Sequence, residues 1–170
     1  MYKKLKIVKV NSKYCDYLRK YDCRVPFNAG SKELRPFIGV LFKINDCEYF
    51  APLSSPKIKH KKLKNTLDLI KIKNGKYGVI NFNNMIPVYE EVYSVFDLNN
   101  KPIDNTEIKR FELLNNQLRW INENRKEILL KSKLLYHLYT TNKLPDNVKS
   151  RCCNFLILEK NCLNYKKSQR

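Results

Sequence analysis

The sequence lacks the uninterrupted apolar run of about 18 residues that a membrane-spanning helix requires. Glycine and proline are scarce, with 4 and 7 residues among 170, which excludes a collagen-like or glycine-rich low-complexity protein. A glycine-rich phosphate loop, HExxH and GxSxG are all missing, so several common enzyme classes leave no signature here. A folded domain remains the expectation, because 43% of the residues are apolar and 12% are aromatic.

Metal and disulfide signatures are missing as well, although the chain has six cysteines. There is no CxxC pair, Cys152 and Cys153 are adjacent, and only His60 and His137 add nitrogen ligands. The chain opens with Met1-Tyr2-Lys3-Lys4 rather than an apolar leader, which predicts a cytoplasmic protein with reduced thiols. We therefore expect the cysteines to serve as small hydrophobic residues, and we expect no metal, no cofactor and no membrane partner.

Acidic residues are few, and the resulting charge is the strongest signal in the sequence. Lys and Arg number 34 against 16 Asp and Glu, for a formal net charge of +18. Such a chain repels itself when it compacts, and a polyanion such as nucleic acid relieves that repulsion. Lysine-rich codon usage would spread the charge evenly, yet residues 1–80 carry 19 basic and 6 acidic residues, against 15 and 10 in residues 81–170. The uneven distribution favours a nucleic-acid surface in the first half.

Short alternating or β-branched stretches predict that the first hundred residues form mainly strands. The predicted strands cover residues 5–10, 37–44, 47–50, 67–72, 77–82, 85–88 and 93–98. Asn45-Asp46 and Asn74-Gly75 supply two hairpin turns, and Pro52 is expected to close the strand before it. One early helix is expected after a cap at Asn11 or Ser12.

The hydrophobic period changes to that of helices after residue 100. Apolar residues recur at intervals of three and four from a cap at Thr106 to residue 144, with a break expected near residues 122–124. A last helix is expected to begin at Asn147 or Ser150. We therefore predict a single α+β domain over residues 1–170, a compact curved antiparallel sheet with helices packed on it, mainly C-terminal.

Two hydroxyls, an ammonium and an imidazole lie close together where a hairpin strand is expected to end, at Ser54, Ser55, Lys57 and His60. RNA carries its own nucleophile, the ribose 2′-hydroxyl, so a protein can cleave RNA by positioning the phosphate and stabilising charge. Ser55 is suited to hydrogen-bond the scissile phosphate, and Lys57 and Arg35 are suited to neutralise its oxygens. His60 has the right unperturbed pKa for proton transfer. Ser-Ser-Pro-Lys is also an ordinary turn composition, so the residue types leave both interpretations open.

Eight lysines and one acid lie between residues 57 and 76, interleaved with leucines and isoleucines. This pattern predicts a basic strand anchored on the sheet with its charges outward, a surface that follows phosphates. The candidate RNA contacts are Lys59, Lys61, Lys62, Lys64, Lys71, Lys73 and Lys76. Nearby Tyr49, Phe50 and Tyr77 are suited either to stack on unpaired bases or to fill the core.

The segment Tyr49-Phe-Ala-Pro-Leu-Ser-Ser-Pro-Lys57 resembles the Y-x-A-P-L-[ST]-S-P-K signature of the ToxN/AbiQ family, the endoribonuclease toxins of type III toxin–antitoxin systems. Further resembling segments follow in the family's order. They are Ser12-Lys13-Tyr14, Val25-Pro26, Arg35 to Val40, Gly78 to Phe82, Met85-Ile86-Pro87 and Cys153-Asn154-Phe155. The resemblance therefore spans most of the chain rather than one motif.

This resemblance implies a core like that of the MazF/PemK toxins, a curved SH3-like barrel elaborated with helices. It implies metal-independent RNA cleavage that leaves a 2′,3′-cyclic phosphate, and growth arrest or abortive infection as the outcome. It also implies inhibition by a repetitive antitoxin RNA, which the toxin processes into pseudoknot units inside a closed protein–RNA assembly. Cellular or phage RNA would be the substrate.

The resemblance carries over to individual positions. Ser55 and Lys57 match the motif, and Ser54 stands where many members have threonine. Arg35 stands where the family has Lys or Arg ahead of its hairpin. His60 belongs to a continuation that only some members share.

Tyr14 matches another family position, and we include it among the candidate RNA contacts with its role left open. Two other function classes fit the same composition: a non-catalytic RNA- or DNA-binding module, and a ribosome-associated structural protein. Ser55→Ala separates the classes, because it should abolish cleavage and spare binding only in a nuclease.

Overall fold

The computed structural model describes residues 3–27 and 35–169. Eight strands in these ranges form one antiparallel sheet: β1 Lys6–Val10, β2 Pro36–Gly39, β3 Lys43–Ile44, β4 Cys47–Ser54, β5 Leu69–Lys71, β6 Val79–Asn81, β7 Ile86–Val88 and β8 Tyr93–Val95. Six α-helices accompany them: α1 Ser12–Arg19, α2 Ile58–Lys62, α3 Asn105–Glu123, α4 Arg125–Thr140, α5 Asp146–Lys149 and α6 Phe155–Ser168. The predicted layout of strands followed by helices is confirmed.

Strand β4 organises the sheet because it pairs with four other strands. The order along the sheet is β5-β6-β4-β2-β1-β8, and β3 and β7 also pair with β4. On one edge β4 pairs with β3 and then β2, and on the other edge with β7 and then β6. As the longest described strand, β4 runs from the buried Cys47 to Ser54, where the strand ends.

Pro52 does not end β4, contrary to the prediction. The strand continues through Ser54, and Pro52 lies opposite Phe37 of β2. On its other edge β4 pairs with β7 up to Phe50 and resumes with β6 at Leu53. Pro52 therefore falls between two strand partners, where the missing proline N–H interrupts no ladder on that edge.

The basic segment after β4 forms a short helix, α2, whereas the lysine pattern of residues 57–76 predicted a basic strand. The backbone N–H of His60 donates to the carbonyl oxygen of Lys57 at 2.9 Å, and that of Leu63 donates to the carbonyl oxygen of Lys59 at 3.2 Å, so the segment closes its own turns. The hairpin that follows is real but shorter than predicted, with β5 and β6 of three residues each. Ile70 and Ile72 are buried beneath it, whereas Leu63 is exposed.

The helical half differs from the prediction mainly in its caps. Asp104, not Thr106, caps α3, because its carboxylate accepts the backbone N–H groups of Thr106 and Glu107. The expected break near residues 122–124 is confirmed at Asn124, which ends α3 and precedes α4. The predicted last helix is two helices, α5 and α6, and Asn154 caps the second.

A core rich in aromatic residues joins the sheet to the helices. Tyr49 and Phe50 of β4 are buried, so the core interpretation of these two rings is confirmed. The hydroxyl of Tyr49 donates to a Glu159 carboxylate oxygen at 2.6 Å, and Tyr136 donates to the same oxygen at 2.8 Å. These bonds satisfy polar atoms that burial would otherwise penalise, and they attach α4 and α6 to the centre of the sheet.

Five of the six cysteines are buried, which confirms their expected use as small hydrophobic residues, while Cys23 is exposed. In the described part of the chain, no three His, Cys, Asp or Glu side chains are grouped as a metal site would need. None of the helices in that part has the length and apolar character to cross a membrane.

Candidate active site

A cleft of about 280 Å³ opens where the end of β4 meets the start of β2 and one face of α3. Because β2 and β4 are antiparallel partners, the residue that precedes β2 lies beside the residues that follow β4. The cleft is lined by Arg35, Pro36, Leu53, Ser54, Ser55, Lys57, Arg110, Leu113, Leu114 and Gln117. Four of the five predicted catalytic residues therefore line one cavity, although Arg35 is separated from the others by β2, β3 and β4.

The two serines are held differently. Ser54 pairs with Val79 of β6 at the last position of β4, and Nδ2 of Asn81 donates to its Oγ at 2.9 Å. An oxygen that accepts this bond keeps its own proton for a second partner, so Ser54 is oriented to donate. Ser55 comes next, leaves the strand and is exposed at the cleft.

Gly78 allows the backbone of Ser54 and Ser55 to lie where it does. Its φ is +95°, in the left-handed region that favours glycine. A Cβ at this position would lie 1.8 Å from the carbonyl oxygen of Ser54 and 3.0 Å from the carbonyl carbon of Ser55. The loop that carries the candidate catalytic serines therefore packs directly onto a backbone without a side chain.

Three cationic side chains line the cleft. Lys57 is exposed, whereas Arg35 and Arg110 are half-buried. Burial lowers the pKa of both guanidinium groups, but arginine stays charged at neutral pH. A partly desolvated charge attracts an anion more strongly than one in bulk water, so the cleft is suited to hold a phosphate group.

His60 is buried behind this loop and is not among the residues that line the cleft. The backbone N–H of Lys57 donates to its Nδ1 at 3.2 Å. Burial lowers the imidazole pKa, and the positive charges of Lys57 and Lys59 lower it further, so the ring is neutral near pH 7. This geometry favours support of the loop over the direct proton transfer that the sequence suggested.

The basic helix α2 and the basic hairpin β5–β6 form one surface, which we call the lysine face, comprising Lys59, Lys61, Lys62, Lys64, Lys71, Lys73 and Lys76. Nζ of Lys71 donates to the carbonyl oxygen of Lys61 at 3.2 Å, and a Cβ on Gly75 would lie 2.9 Å from the carbonyl oxygen of His60. The ammonium groups of Lys73 and Lys76 lie 5.5 and 5.7 Å from the half-buried Tyr77 ring. All of these lysines except the half-buried Lys71 are exposed.

The profile of the family described as "Toxin ToxN, type III toxin-antitoxin system" matches residues 6–162. The chain belongs to the ToxN toxin family. The Endoribonuclease ToxN of Pectobacterium atrosepticum is 36% identical over 163 residues, which cover 91% of this chain and 90% of that protein. The resemblance noted in the sequence is thereby confirmed.

Two solved structures share the fold of this ToxN-family chain. One concerns selective toxin inhibition by a non-coding RNA pseudoknot in bacterial type III systems. It superposes with a TM-score of 0.83 at 32% identity, over 96% of this chain and 99% of its own. The other concerns a bacterial antiviral system regulated by a processed non-coding RNA. It superposes with a TM-score of 0.78 at 31% identity, over 94% of this chain and 98% of its own.

Tyr14, expected among the RNA contacts of this ToxN-family chain, lies in the core. It is fully buried, and its hydroxyl donates to the carbonyl oxygen of Pro87 at 2.7 Å. Tyr14 lines neither the cleft nor the lysine face, and its hydroxyl is already hydrogen-bonded inside the core, so the structure gives it a packing role in place of the expected RNA contact. The tyrosine instead joins α1 to the segment around β7, and it packs edge-on against Tyr89 and Tyr165.

No motif in the sequence pointed to the α3 wall of the cleft. Arg110, Leu113, Leu114 and Gln117 are spaced as one helical face, which lies beside the predicted apolar stripe and shares Leu114 with it. The signal in the sequence was that two polar residues, Arg110 and Gln117, stand seven positions apart beside this stripe. Gln117 is nevertheless 1% exposed, which is unusual for a glutamine and marks a special environment.

Proposed function

We propose that this ToxN-family endoribonuclease cleaves RNA in the cleft between β4 and α3, as the toxin of a type III toxin–antitoxin system. The observation that carries the proposal is the convergence of Ser54, Ser55, Lys57 and Arg35 on one cavity. The name of the Pectobacterium relative supports the activity. Hydroxyl donors, an ammonium and a guanidinium are the groups that position and neutralise a phosphodiester.

In the proposed reaction the ribose 2′-oxygen attacks the adjacent phosphorus. The 2′-O–P bond forms and the P–O5′ bond breaks. The 2′-hydroxyl loses its proton, and the leaving 5′-oxygen gains one. The products are a 2′,3′-cyclic phosphate and a 5′-hydroxyl. Ser54 and Ser55 donate to the non-bridging oxygens, while Lys57 and Arg35 stabilise the charge of the pentacoordinate intermediate. These groups supply the required positive charge without a metal ion.

Arg110 adds a second guanidinium from α3. It lines the same cavity as Arg35 and is half-buried like it. We include it with the proposed phosphate-binding residues, because planar guanidinium groups bind phosphate oxygens in pairs of hydrogen bonds.

We further propose that the lysine face holds the RNA strand on either side of the cut. Lys57 lines the cleft and also caps α2, so the cleft and the lysine face are continuous along the chain. A face of this kind binds phosphates without reading sequence, and the binding weakens as salt rises. The same face would bind the antitoxin RNA, so that inhibition is largely competitive.

The inhibited state we propose is a closed assembly of toxin protomers and pseudoknot repeats of antitoxin RNA in the bacterial cytoplasm. A related structure that concerns toxin inhibition by an RNA pseudoknot supports this proposal. The free toxin would cut cellular or phage RNA, arrest growth and abort infection, in keeping with the antiviral setting of the second structure. We regard residues 1–170 as one toxin domain whose curved sheet is an elaborated MazF/PemK-like barrel.

The decisive experiment compares Ser55→Ala with Ser94→Ala, an exposed serine on β8 outside the cleft. Purified protein, freed of bound RNA, is incubated with transcripts in chelator, and the new ends are tested for 2′,3′-cyclic phosphate. We expect cleavage by the wild type and by Ser94→Ala, at least 100-fold slower cleavage by Ser55→Ala, and RNA binding by all three. Intact transcripts with every protein would indicate a binding module or a ribosome-associated protein instead.

A further inference from the structure

Gln117 lines the cleft and carries a buried acceptor atom. Its Nε2 donates to the carbonyl oxygen of Tyr77 at 2.7 Å. A carbonyl oxygen only accepts, so this bond determines which end of the amide is nitrogen and which is oxygen. The remaining atom, Oε1, is buried and has no hydrogen-bond partner among the described residues.

A buried acceptor without a partner is unfavourable, and native proteins retain few of them. The other polar groups at the cleft, such as Ser55, Lys57 and Arg110, are donors suited to phosphate oxygens. An acceptor oxygen would instead repel a phosphate. Oε1 is therefore matched to a part of the substrate that donates, and in a nucleotide the donors are base N–H groups and ribose hydroxyls.

We propose that Gln117 is a substrate-recognition residue whose Oε1 accepts a hydrogen bond from a donor of the RNA nucleotide in the cleft, either a nucleobase N–H or a ribose hydroxyl. The inference rests on the proposed function, because it needs RNA in this cavity. Leu113 and Leu114, on the same face of α3, provide apolar surface against which a nucleobase packs. The bond to Tyr77 holds the amide rigid, so the acceptor is oriented before RNA arrives.

The first test replaces Gln117 with methionine, which keeps the length of the side chain and removes both the acceptor and the donor to Tyr77. Its matched control is Ile121→Met, a buried position one turn later on α3 that does not line the cleft. We expect Gln117→Met to cut its preferred RNA at least tenfold more slowly than the wild type. Its melting temperature should equal that of Ile121→Met. Ile121→Met should cut within about twofold of the wild type.

The pattern of cleavage sites across a total RNA sample separates the two donors. If Oε1 reads a base, Gln117→Met relaxes the sequence preference at one position. If it binds a ribose hydroxyl, all sites slow equally and the preference is unchanged. Wild-type rates and preferences in Gln117→Met, or a loss matched by Ile121→Met, would refute the inference while leaving the proposed nuclease intact.

A second test alters the RNA, and its first reading, the effect on the wild type, does not depend on the folding of a variant. Short RNA substrates are made with single donors removed, for example inosine for guanosine, purine riboside for adenosine, or one 2′-deoxy sugar outside the scissile position. One such removal should slow cleavage by the wild type at least tenfold and have less than a twofold effect on Gln117→Met. If no removal slows the wild type, the inference is wrong, whereas a wild type that cuts nothing would refute the proposed function as well.

Discussion

The backbone N–H of Lys57 donates to Nδ1 of His60, so the buried imidazole holds the loop that carries Ser55 and Lys57. The bond needs an unprotonated Nδ1, which places the proton of the neutral ring on Nε2, and the lowered pKa favours this neutral form. The histidine thus acts at the first turn of α2 as a glutamate or glutamine does in a capping box, by accepting the N–H of the capping residue.

We expect His60→Ala to lose about 1 kcal/mol of folding free energy, the usual cost of a lost cap, and to cleave RNA several-fold more slowly. His60→Gln keeps an acceptor in reach of the same N–H, so it should retain most of the folding free energy and most of the cleavage rate. Denaturant titration and initial cleavage rates measure the two quantities. Equal inactivity of the glutamine and alanine variants would show instead that the imidazole transfers a proton.

The same bond predicts a pH dependence of stability. Since the folded pKa of His60 lies below the ordinary value of 6.5, its contribution is fully present above pH 6.5 and is lost as the pH falls from there toward the folded pKa. The free energy of unfolding of the wild type should therefore decline across that window, and that of His60→Gln should decline less. Parallel curves for the two proteins would contradict this assignment.

Gly78→Ala should disrupt the cleft by moving the carbonyl of Ser54, because the added carbon has no room. We expect a loss of more than about 1 kcal/mol from the left-handed backbone alone, and cleavage reduced more than tenfold. Val79→Ala is the matched control: it truncates a buried neighbour without pushing on the loop. Where both variants are fully folded by circular dichroism, the control should cleave well and Gly78→Ala should not.

Neutralising the lysine face should weaken RNA binding in a salt-dependent way. Each lost phosphate contact lowers the slope of log affinity against log salt by about 0.7 for single-stranded RNA. We expect this change for Lys61→Gln and for Lys73→Gln, and none for Lys160→Gln, an exposed lysine on α6. Fluorescence anisotropy over a salt series measures the slopes, and three identical slopes would place the RNA elsewhere.

An ion pair between the exposed Arg151 and the buried Asp68 connects the lysine face to the helical layer. Arg151 donates to the Asp68 carboxylate through Nε at 2.6 Å and Nη2 at 3.0 Å, and Thr66 adds a third bond. Burial alone would raise the pKa of Asp68, but the hydrogen bonds from Arg151 and Thr66 outweigh it and leave the pKa below its ordinary value. The stabilisation is therefore present above about pH 3.9 and lost as the pH falls through the folded pKa.

We expect Asp68→Asn to lose about 2 kcal/mol at pH 7, as for hydrogen bonds to a charged group, and to resist further loss in acid better than the wild type. Asp16→Asn breaks a surface pair between the exposed Asp16 and the half-buried Arg19 and should change the free energy of unfolding little. Urea titrations at several pH values measure both variants. An equal effect of the two substitutions would contradict the role given to Asp68.

Local signals predicted much of this chain, because they act over a few residues. Helical spacing and strand alternation located the strand-rich and helical halves, and Asn-Gly located the turn between β5 and β6. Such signals do not report which strands pair. Pro52 reads locally as a strand end, yet it sits inside β4 because its neighbours change partners beside it.

By itself the sequence determined the family, the composition of the Ser54–Lys57 loop and the concentration of lysines beside it. Only the tertiary structure brought Arg35 to that loop, through the pairing of β2 with β4, and placed Arg110 and Gln117 opposite it on α3. The tertiary structure also buries Tyr14 and His60. The reason is physical: residue types are local properties, whereas burial and proximity depend on contacts between segments far apart in the chain.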